Sequence, residues 1–336
     1  MKIRVENSTW NNVGDGWYQT SLYGLLRKTF PQHQVLLGEG PVRRAFRISN
    51  GKQLKNALNV MDYERADIHV FSGPMIPSII RDYSQAIKRL IADGENYVLL
   101  SASGTGLSAS EIAEIGEFLT KYPPLLLSTR DEETYDNFKS YVSNSYNGIC
   151  TAFLVDRTIE LDTFQLEKPF FISSFYMELE PTFSLRGGEV RIDNVDVEHH
   201  KTMFGLPFRY SRHLNFLRKH QYQLGGHLIV RTVQNLNTRF NHINFAAPNS
   251  FISFNPVRYL EVAKSSEFTI SDRVHACAIS LACNHPARFL FNTPRAGIFD
   301  RLGFDYKSNE GIMYPNMQRI DDEMGLFQDV LKRYIS

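Results

Sequence analysis

The strongest constraint on the fold is a regular alternation of short apolar runs with amphipathic segments of helical length. Each apolar run has the length of a strand, and each segment between two runs can form a helix of two to four turns. Strands separated by helices of this length make βαβ units, and such units build parallel sheets. The sequence therefore predicts an α/β protein.

The predicted elements fall into two halves. Strands are predicted at 67–73, 97–101, 125–128, 170–175, 227–233, 268–271 and 287–291. Helices are predicted at 13–30, 78–92, 110–121, 132–144, 211–220, 256–265, 273–283 and 321–335. Ser110 is the expected cap of the third helix. The Asn-rich stretch 236–253 is predicted to be a long loop.

A polar, weakly patterned segment, residues 157–168, separates the two halves and ends at Pro169. We therefore predict an N-terminal domain over 1–156 and a C-terminal domain over 168–336. By analogy with other two-domain α/β proteins, the closing helix 321–335 is expected to pack back on the first domain.

The charge balance excludes some classes of partner. Lys and Arg number 37 and Asp and Glu number 36, which gives a formal net charge of +1. This balance argues against the chain-wide basic surface that nucleic acid requires. No apolar run is long enough to predict a membrane-spanning helix. The three cysteines, Cys150, Cys277 and Cys283, lack a C-x-x-C spacing, which is typical of free thiols in the cytoplasm.

The first candidate site is Asn12-Val13-Gly14-Asp15, at the start of the first predicted helix. Gly14 permits a positive φ or the close approach of a ligand. The free amides of a helix start can hold an anion or a hydroxyl-rich ligand. The alternative is a simple helix cap, with Asp15 accepting hydrogen bonds from backbone amides.

The second candidate site is the segment 128–134, where a predicted strand runs into a helix. Ligands bind at this edge of open α/β sheets. The helix dipole favours the acids of this segment but not Arg130, which therefore needs another partner. A bound carboxylate or phosphate suits its fork of donors. The alternative is an ion pair with Asp131 or Glu133.

The third candidate site is the segment 271–276, again at a strand-to-helix junction. Asp272 is expected to cap the following apolar helix. Packing requires neither Arg273 nor His275, but at a first helical turn both can converge on one anion. Arg273 supplies a permanent charge, and His275 can exchange a proton near neutral pH. The alternative is a structural histidine. The sequence has no phosphate loop, no nucleophile elbow and no metal-ligand spacing, so we expect neither a metal nor a cofactor.

Together these segments resemble the polysaccharide pyruvyl transferase family, with the same order and spacing over nearly the whole chain. The N-x-G-D, R-D-x-x-S and R-x-H segments of that family correspond to the three sites above. The chain departs from the pattern at Thr134, which keeps the hydroxyl of the usual Ser, at Ser72, which replaces one of two paired glycines, and at 284–286.

The resemblance implies two Rossmann-like domains in a GT-B-type arrangement with the active site in the cleft between them. It implies phosphoenolpyruvate as donor, a sugar diol or glycan as acceptor, and a cyclic pyruvate ketal as product. It assigns donor binding to Arg130, Arg273, the Val274 backbone and His275. Because ketal formation needs an acid and a base, we expect His275 and Asp15 to be catalytic.

The acceptor is expected to lie near Asn12, Gly14 and Trp17. If it is lipid-linked, the protein would sit at the inner face of the membrane. One alternative function is a GT-B glycosyltransferase that uses a nucleotide sugar, although Glu261 and Glu267 lie too close together for the paired glutamates of such enzymes. Another is a glycan-binding protein without activity, which the joint presence of Arg130, Arg273 and His275 argues against.

Overall fold

The computed structural model describes residues 1–7, 10–40, 64–175, 180–186, 189–193, 200–203, 206–209, 220–236, 245, 247–307 and 311–335. Its strands are β1 (Lys2–Asn7), β2 (Gln34–Glu39), β3 (Ile68–Gly73), β4 (Asn96–Ala102), β5 (Leu127–Thr129), β6 (Ser145–Asn147), β7 (Phe170–Ser174), β8 (Thr182–Arg186), β9 (Glu189–Asp193), β10 (His200–Met203), β11 (Leu206–Arg209), β12 (Gln223–Leu224), β13 (His227–Thr232), β14 (Ser250–Phe251), β15 (Thr269–Ser271), β16 (Ala287–Phe289) and β17 (Ile312–Met313).

The α-helices of the described residues alternate with these strands. They are α1 (Val13–Thr29), α2 (Ser84–Ala92), α3 (Ala109–Lys121), α4 (Glu132–Phe138), α5 (Val155–Thr158), α6 (Pro256–Ser265), α7 (Val274–Ala282) and α8 (Met317–Ile335). A 3₁₀ helix at Ile76–Ser78 and a π-helical turn at Ile79–Tyr83 precede α2, and a 3₁₀ helix at Pro294–Leu302 follows β16. The α/β class predicted from the sequence is confirmed.

The first half of the chain forms a parallel sheet in the order β2-β1-β3-β4-β5-β6. The chain moves outward from β1 in one direction to β2 and in the other to β3, so the carboxyl ends of β1 and β3 form a topological switch point. Open α/β sheets bind their ligands at such a point.

Strands β1 and β2 were missed by the sequence analysis. In β1, the apolar residues Ile3 and Val5 lie in the core, but the alternate positions are Arg4 and Glu6, both buried as an ion pair of 3.2 Å. His69 of β3 lies beside them, with its Nδ1 2.7 Å from the Glu6 carboxylate. The buried charges interrupt the apolar signal that identifies a central strand.

The second half forms a sheet in the order β12-β13-β7-β15-β16-β17, in which β13, β7, β15 and β16 are parallel. Its switch point lies between β7 and β15. Here Ser271 donates a 2.6 Å hydrogen bond from its hydroxyl to the carbonyl of Ser174, which ties the carboxyl ends of the two strands together.

Two local predictions are corrected by the structure. The α-helix expected over 132–144 ends at Phe138, and residues 145–147 instead join the first sheet as strand β6. The cap of α3 is Ser108 rather than Ser110, in a capping box with Glu111. Most of the helix predicted at 211–220 lies outside the described residues. Of the loop predicted at 236–253, residues 237–244 and 246 lie outside them, and Ser250–Phe251 form β14.

Helix α1 joins the two halves through one continuous apolar core. Its Trp17 indole donates a 3.2 Å hydrogen bond to the carbonyl of Pro256 and packs on Tyr259, both of the second half. Gly16 lies directly under Pro256, where an added Cβ would be 2.4 Å from the proline ring. The N-terminal end of α1 is therefore fixed against the second half.

The last helix, α8, lies against the first half. Phe327 stacks on Tyr146 of β6, and Gln328 donates a hydrogen bond to the hydroxyl of Thr29. Between α5 and β7, residues 159–169 form neither helix nor strand. The assignment of these two halves to separate domains stays a prediction.

Candidate active site

The three segments singled out in the sequence meet where the two sheets face each other. Arg130, which follows β5 in the first half, donates a hydrogen bond from Nη1 to Nε2 of His275 in α7, at 3.2 Å. Arg273 donates from Nη2 to Oδ1 of Asn12, which directly precedes α1, at 2.8 Å. The site is thus built by both halves.

Arg130 is a buried cation without a carboxylate partner among the described residues. Its side chain is 1% exposed, and its Nε has no hydrogen-bond partner. The remaining contacts of its guanidinium are the sulfur of Cys150, at 3.9 Å, and the ring of Tyr18, at 5.7 Å. The alternative of an ion pair with Asp131 or Glu133 is therefore wrong. A desolvated guanidinium without a counter-ion is costly, and a bound anion would compensate it.

The neighbouring acids have structural tasks instead. Asp131 is the N-cap of α4 and accepts a 2.8 Å hydrogen bond from the amide of Thr134. The hydroxyl of Thr134 accepts from the amide of Gly104, and the Glu133 carboxylate accepts from the amide of Gly106. These bonds fix the loop after β4 to the start of α4. The Arg130 side chain therefore extends from a rigid part of the backbone.

His275 is a neutral, buried histidine in this structure. Burial lowers its pKa well below the ordinary value, and the positive charges of Arg130, Arg273 and Arg295 lower it further. A guanidinium has only donors, so Nε2 of His275 must accept the bond from Arg130, and the neutral ring carries its proton on Nδ1. The ring is thus prepared to accept a proton when anionic charge offsets the arginines.

The start of α1 is shaped around His275. Helix α1 begins at Val13, so Gly14 is helical, and its glycine serves close approach rather than a positive φ. A Cβ at Gly14 would lie 3.2 Å from Nδ1 of His275. The N-cap residue is Asn12, so Asp15 lies within the first turn and not at the cap position expected for it.

The start of α7 also differs from the expected cap. The N-cap residue is Arg273 rather than Asp272, and its side chain makes no capping bond because it reaches Asn12. Val274 is the first helical residue, so its amide belongs to the free donors of the helix start. Arg273, the Val274 amide and His275 thus lie at one helix start, a position where proteins can bind an anion.

Trp17 does not present a sugar-binding face. Predicted to lie beside the acceptor, it is 1% exposed and packs in the core between the halves. Two residues near the site were not assigned by the sequence analysis. Tyr18 lies four residues after Gly14, on the same face of α1, and this spacing was an available signal. Arg295 is exposed and follows Pro294 in a 3₁₀ helix, where no local pattern indicates a site.

The family model of the polysaccharide pyruvyl transferases matches residues 12–292. The chain belongs to this family. Membership makes the protein a transferase of polysaccharide modification, which acts on a sugar or glycan. All three segments of the site lie within the match, and Arg295 lies beyond it. No curated protein matches the chain.

Solved structures show the same fold as this family member. The S. aureus MnaA–UDP co-structure has a TM-score of 0.53 at 12% identity, over 99% of this chain and 89% of that chain. A putative UDP-N-acetylglucosamine 2-epimerase from Listeria monocytogenes also has a TM-score of 0.53, at 10% identity, over 99% of this chain and 88% of its own. Both neighbours are of the GT-B type, so the predicted arrangement of two Rossmann-like units is confirmed.

The described residues contain neither a membrane-spanning helix nor a cluster of metal-ligating side chains. None of the helices placed in the structure is long and apolar enough to cross a membrane. Within the same ranges, no three His, Cys, Asp or Glu side chains lie together as a metal ion would require.

Proposed function

We propose that this protein transfers the pyruvyl group of phosphoenolpyruvate to two hydroxyls of a sugar, forming a cyclic ketal on a glycan or a glycan precursor. The observation that carries the proposal is the buried guanidinium of Arg130, which lacks a carboxylate partner among the described residues and contacts a titratable histidine. Phosphoenolpyruvate carries a phosphate and a carboxylate, so arginines from the two halves can bind its two ends.

Donor binding would change the state of His275. The donor's negative charge attracts the guanidinium of Arg130, which frees Nε2 of the histidine. The same charge offsets the three arginines that hold the pKa of His275 low, so the pKa rises and the ring takes up a proton. We propose that this imidazolium is the general acid.

The reaction balances without nucleotide or metal. His275 protonates the methylene carbon of the donor, which becomes the methyl group, and the first sugar hydroxyl attacks the enol carbon as it loses its proton. The second hydroxyl then attacks the same carbon and displaces the phosphate. The second C–O bond to the sugar forms as the bond between this carbon and the phosphate ester oxygen breaks. One hydroxyl proton restores the acid, and the other leaves with inorganic phosphate. Asp15, in the first turn of α1, is the proposed base.

The acceptor is proposed to bind beside the start of α1, near Asn12 and Gly14. A glycan linked to a lipid would bring the protein to the inner face of the membrane, and this location, like a cytoplasmic one, stays a prediction.

The test is an incubation with phosphoenolpyruvate and hexosides that carry a free vicinal or 4,6-diol. We expect one pyruvate ketal per acceptor by mass spectrometry, with equimolar release of phosphate. Phosphoenolpyruvate should also raise the Tm of the protein, while UDP-N-acetylglucosamine should not. A Tm shift with the nucleotide sugar, or sugar transfer from it without phosphoenolpyruvate, would contradict the proposal and favour a glycosyltransferase.

A further inference from the structure

Tyr18 contacts both central residues of the site. Its ring centroid lies 5.3 Å from that of His275, with the planes at 54°, and 5.7 Å from Cζ of Arg130. The residue is 1% exposed. A single aromatic ring from α1 therefore bridges the cation of the first half and the histidine of the second.

The ring is held in this position by the surrounding backbone. Thr151 donates a 2.8 Å hydrogen bond from its hydroxyl to the carbonyl of Tyr18. Gly73, at the carboxyl end of β3, lies so close that an added Cβ would be 2.1 Å from the Tyr18 hydroxyl. Gly73 also has a φ of +79°, so both the close approach and the backbone favour glycine. The ring is therefore enclosed by protein, with its hydroxyl packed against the backbone of Gly73.

In the proposed reaction, protonation of His275 places a second positive charge beside Arg130, and the Tyr18 ring can reduce the cost of this repulsion. When His275 becomes an imidazolium, two cations face each other from an initial separation of 3.2 Å. The negative face of an aromatic ring attracts a nearby cation, most strongly where water is excluded. Resting on the proposed function, we propose that Tyr18 is a positioning residue, which orients Arg130 and stabilises the protonated form of His275 in the donor complex.

The charged and titratable groups around this contact come from several elements. Those facing His275 or Tyr18 are Arg130, Arg273, Arg295, Asp15, Tyr83 and Cys150. Burial raises the pKa of the Tyr18 phenol well above its ordinary value, so the phenol stays neutral and its ring rather than its charge acts on the histidine. The variants that report on the ring differ from the wild type at position 18 alone, so these charged groups stay in place when their titrations of His275 are compared.

The test is a titration of His275 by NMR in the presence of phosphoenolpyruvate without acceptor. The histidine signal is assigned with His275→Gln. The series compares the wild type, Tyr18→Phe and 3,4,5-trifluorophenylalanine at position 18, which keeps the ring's shape and removes most of its negative face. Tyr18→Leu extends the series if it folds. Tyr259→Leu is the control for loss of a buried aromatic ring at the same junction between halves.

We expect the wild type and Tyr18→Phe to share one pKa for His275. The trifluorinated ring should lower this pKa by about one unit, as loss of a buried cation–π contact predicts, and the high-pH limb of kcat should move with it. Tyr259→Leu should leave both unchanged. Suppose that the donor raises the pKa of His275 in the wild type, but that this pKa is the same with Phe and with trifluorophenylalanine at position 18. That outcome would overturn the role of Tyr18 and leave the proposed donor site standing. A wild-type titration that the donor does not move would overturn the donor site and, with it, this role.

Discussion

Replacing Arg130 by methionine should leave the stability of the free protein nearly unchanged or raise it, while it strongly weakens donor binding. The guanidinium is 1% exposed and has no ion-pair partner among the described residues. Exchange of a buried charge for an apolar side chain of similar length often gains about 1–4 kcal/mol. The variant loses the hydrogen bond to His275, about 1 kcal/mol, and a cation–π contact of about 1 kcal/mol. The gain less these two losses leaves a change in the unfolding free energy of between about −1 and +2 kcal/mol.

Arg231 provides the matched control, because it is a buried arginine with a partner. Its Nε donates a 3.0 Å bond to the Glu180 carboxylate, and its Nη atoms donate to the carbonyls of Gln221 and Pro248. Arg231→Met takes the arginine from the buried Glu180 carboxylate, which keeps its hydrogen bonds with Ser173 and His220. The unfolding free energy should therefore fall by about 3 kcal/mol, the lower end of the range for a broken buried ion pair. The unfolding free energies of the two arginine variants should therefore differ by at least about 2 kcal/mol, with Arg231→Met the less stable.

Two measurements decide this prediction. Equilibrium unfolding in urea gives the free energies, and calorimetric titration with phosphoenolpyruvate gives the affinities. Arg130→Met should lose about 2–4 kcal/mol of binding free energy, roughly a 30- to 1,000-fold rise in Kd. The reasoning is refuted if Arg130→Met destabilises the fold as Arg231→Met does and still binds the donor normally, since Arg130 would then be a structural residue.

Four further outcomes follow from the same geometry. His275→Gln should lower kcat by about 10²- to 10⁴-fold in steady-state kinetics with little change in donor Kd, and unchanged turnover would make His275 structural. Because burial and the arginines lower the pKa of His275 from 6.5, the unfolded chain binds its proton first, so stability should fall as the pH drops below about 6.5. His275→Gln should lack that part of the loss in urea unfolding between pH 5 and 8, and equal acid sensitivity would contradict the assignment. Gly14→Ala places a methyl group 3.2 Å from Nδ1 and should lower kcat about tenfold, whereas Gly325→Ala, with nothing near its Cβ, should keep kcat. Arg295→Ala should raise the KM for phosphoenolpyruvate while its unfolding free energy changes by less than about 0.5 kcal/mol, because the side chain is exposed; an unchanged KM would exclude it from the site.

The chemistry of the site was predictable because it sits at helix starts. Arg130 and His275 each follow a strand, at positions where core packing explains neither side chain. Parallel sheets bring such positions to one edge. Their mutual contact could not be predicted, since it depends on how the two halves dock. No local pattern encodes that docking. For the same reason Trp17 was expected to meet a sugar and is instead enclosed between the halves.

The fold was predictable where burial follows an apolar period, and not elsewhere. Strand β3 and helix α7 are continuously apolar or buried, and both were found near their observed positions. Strand β1 was missed because Arg4 and Glu6 are buried as a pair, so its inner positions look solvent-exposed in the sequence. The sequence does not distinguish a charged residue that is buried in an ion pair from one that is exposed to solvent.

The bond from Trp17 to Pro256 joins residues 239 positions apart. During synthesis the face of α1 that carries Trp17 leaves the ribosome long before helix α6, which covers it. At 5–20 residues per second, this apolar face waits for roughly 10–50 s for its partner. The nascent first half therefore exposes an aggregation-prone surface through most of translation, and chaperones that recognise extended apolar surface should bind it until α6 and α7 emerge.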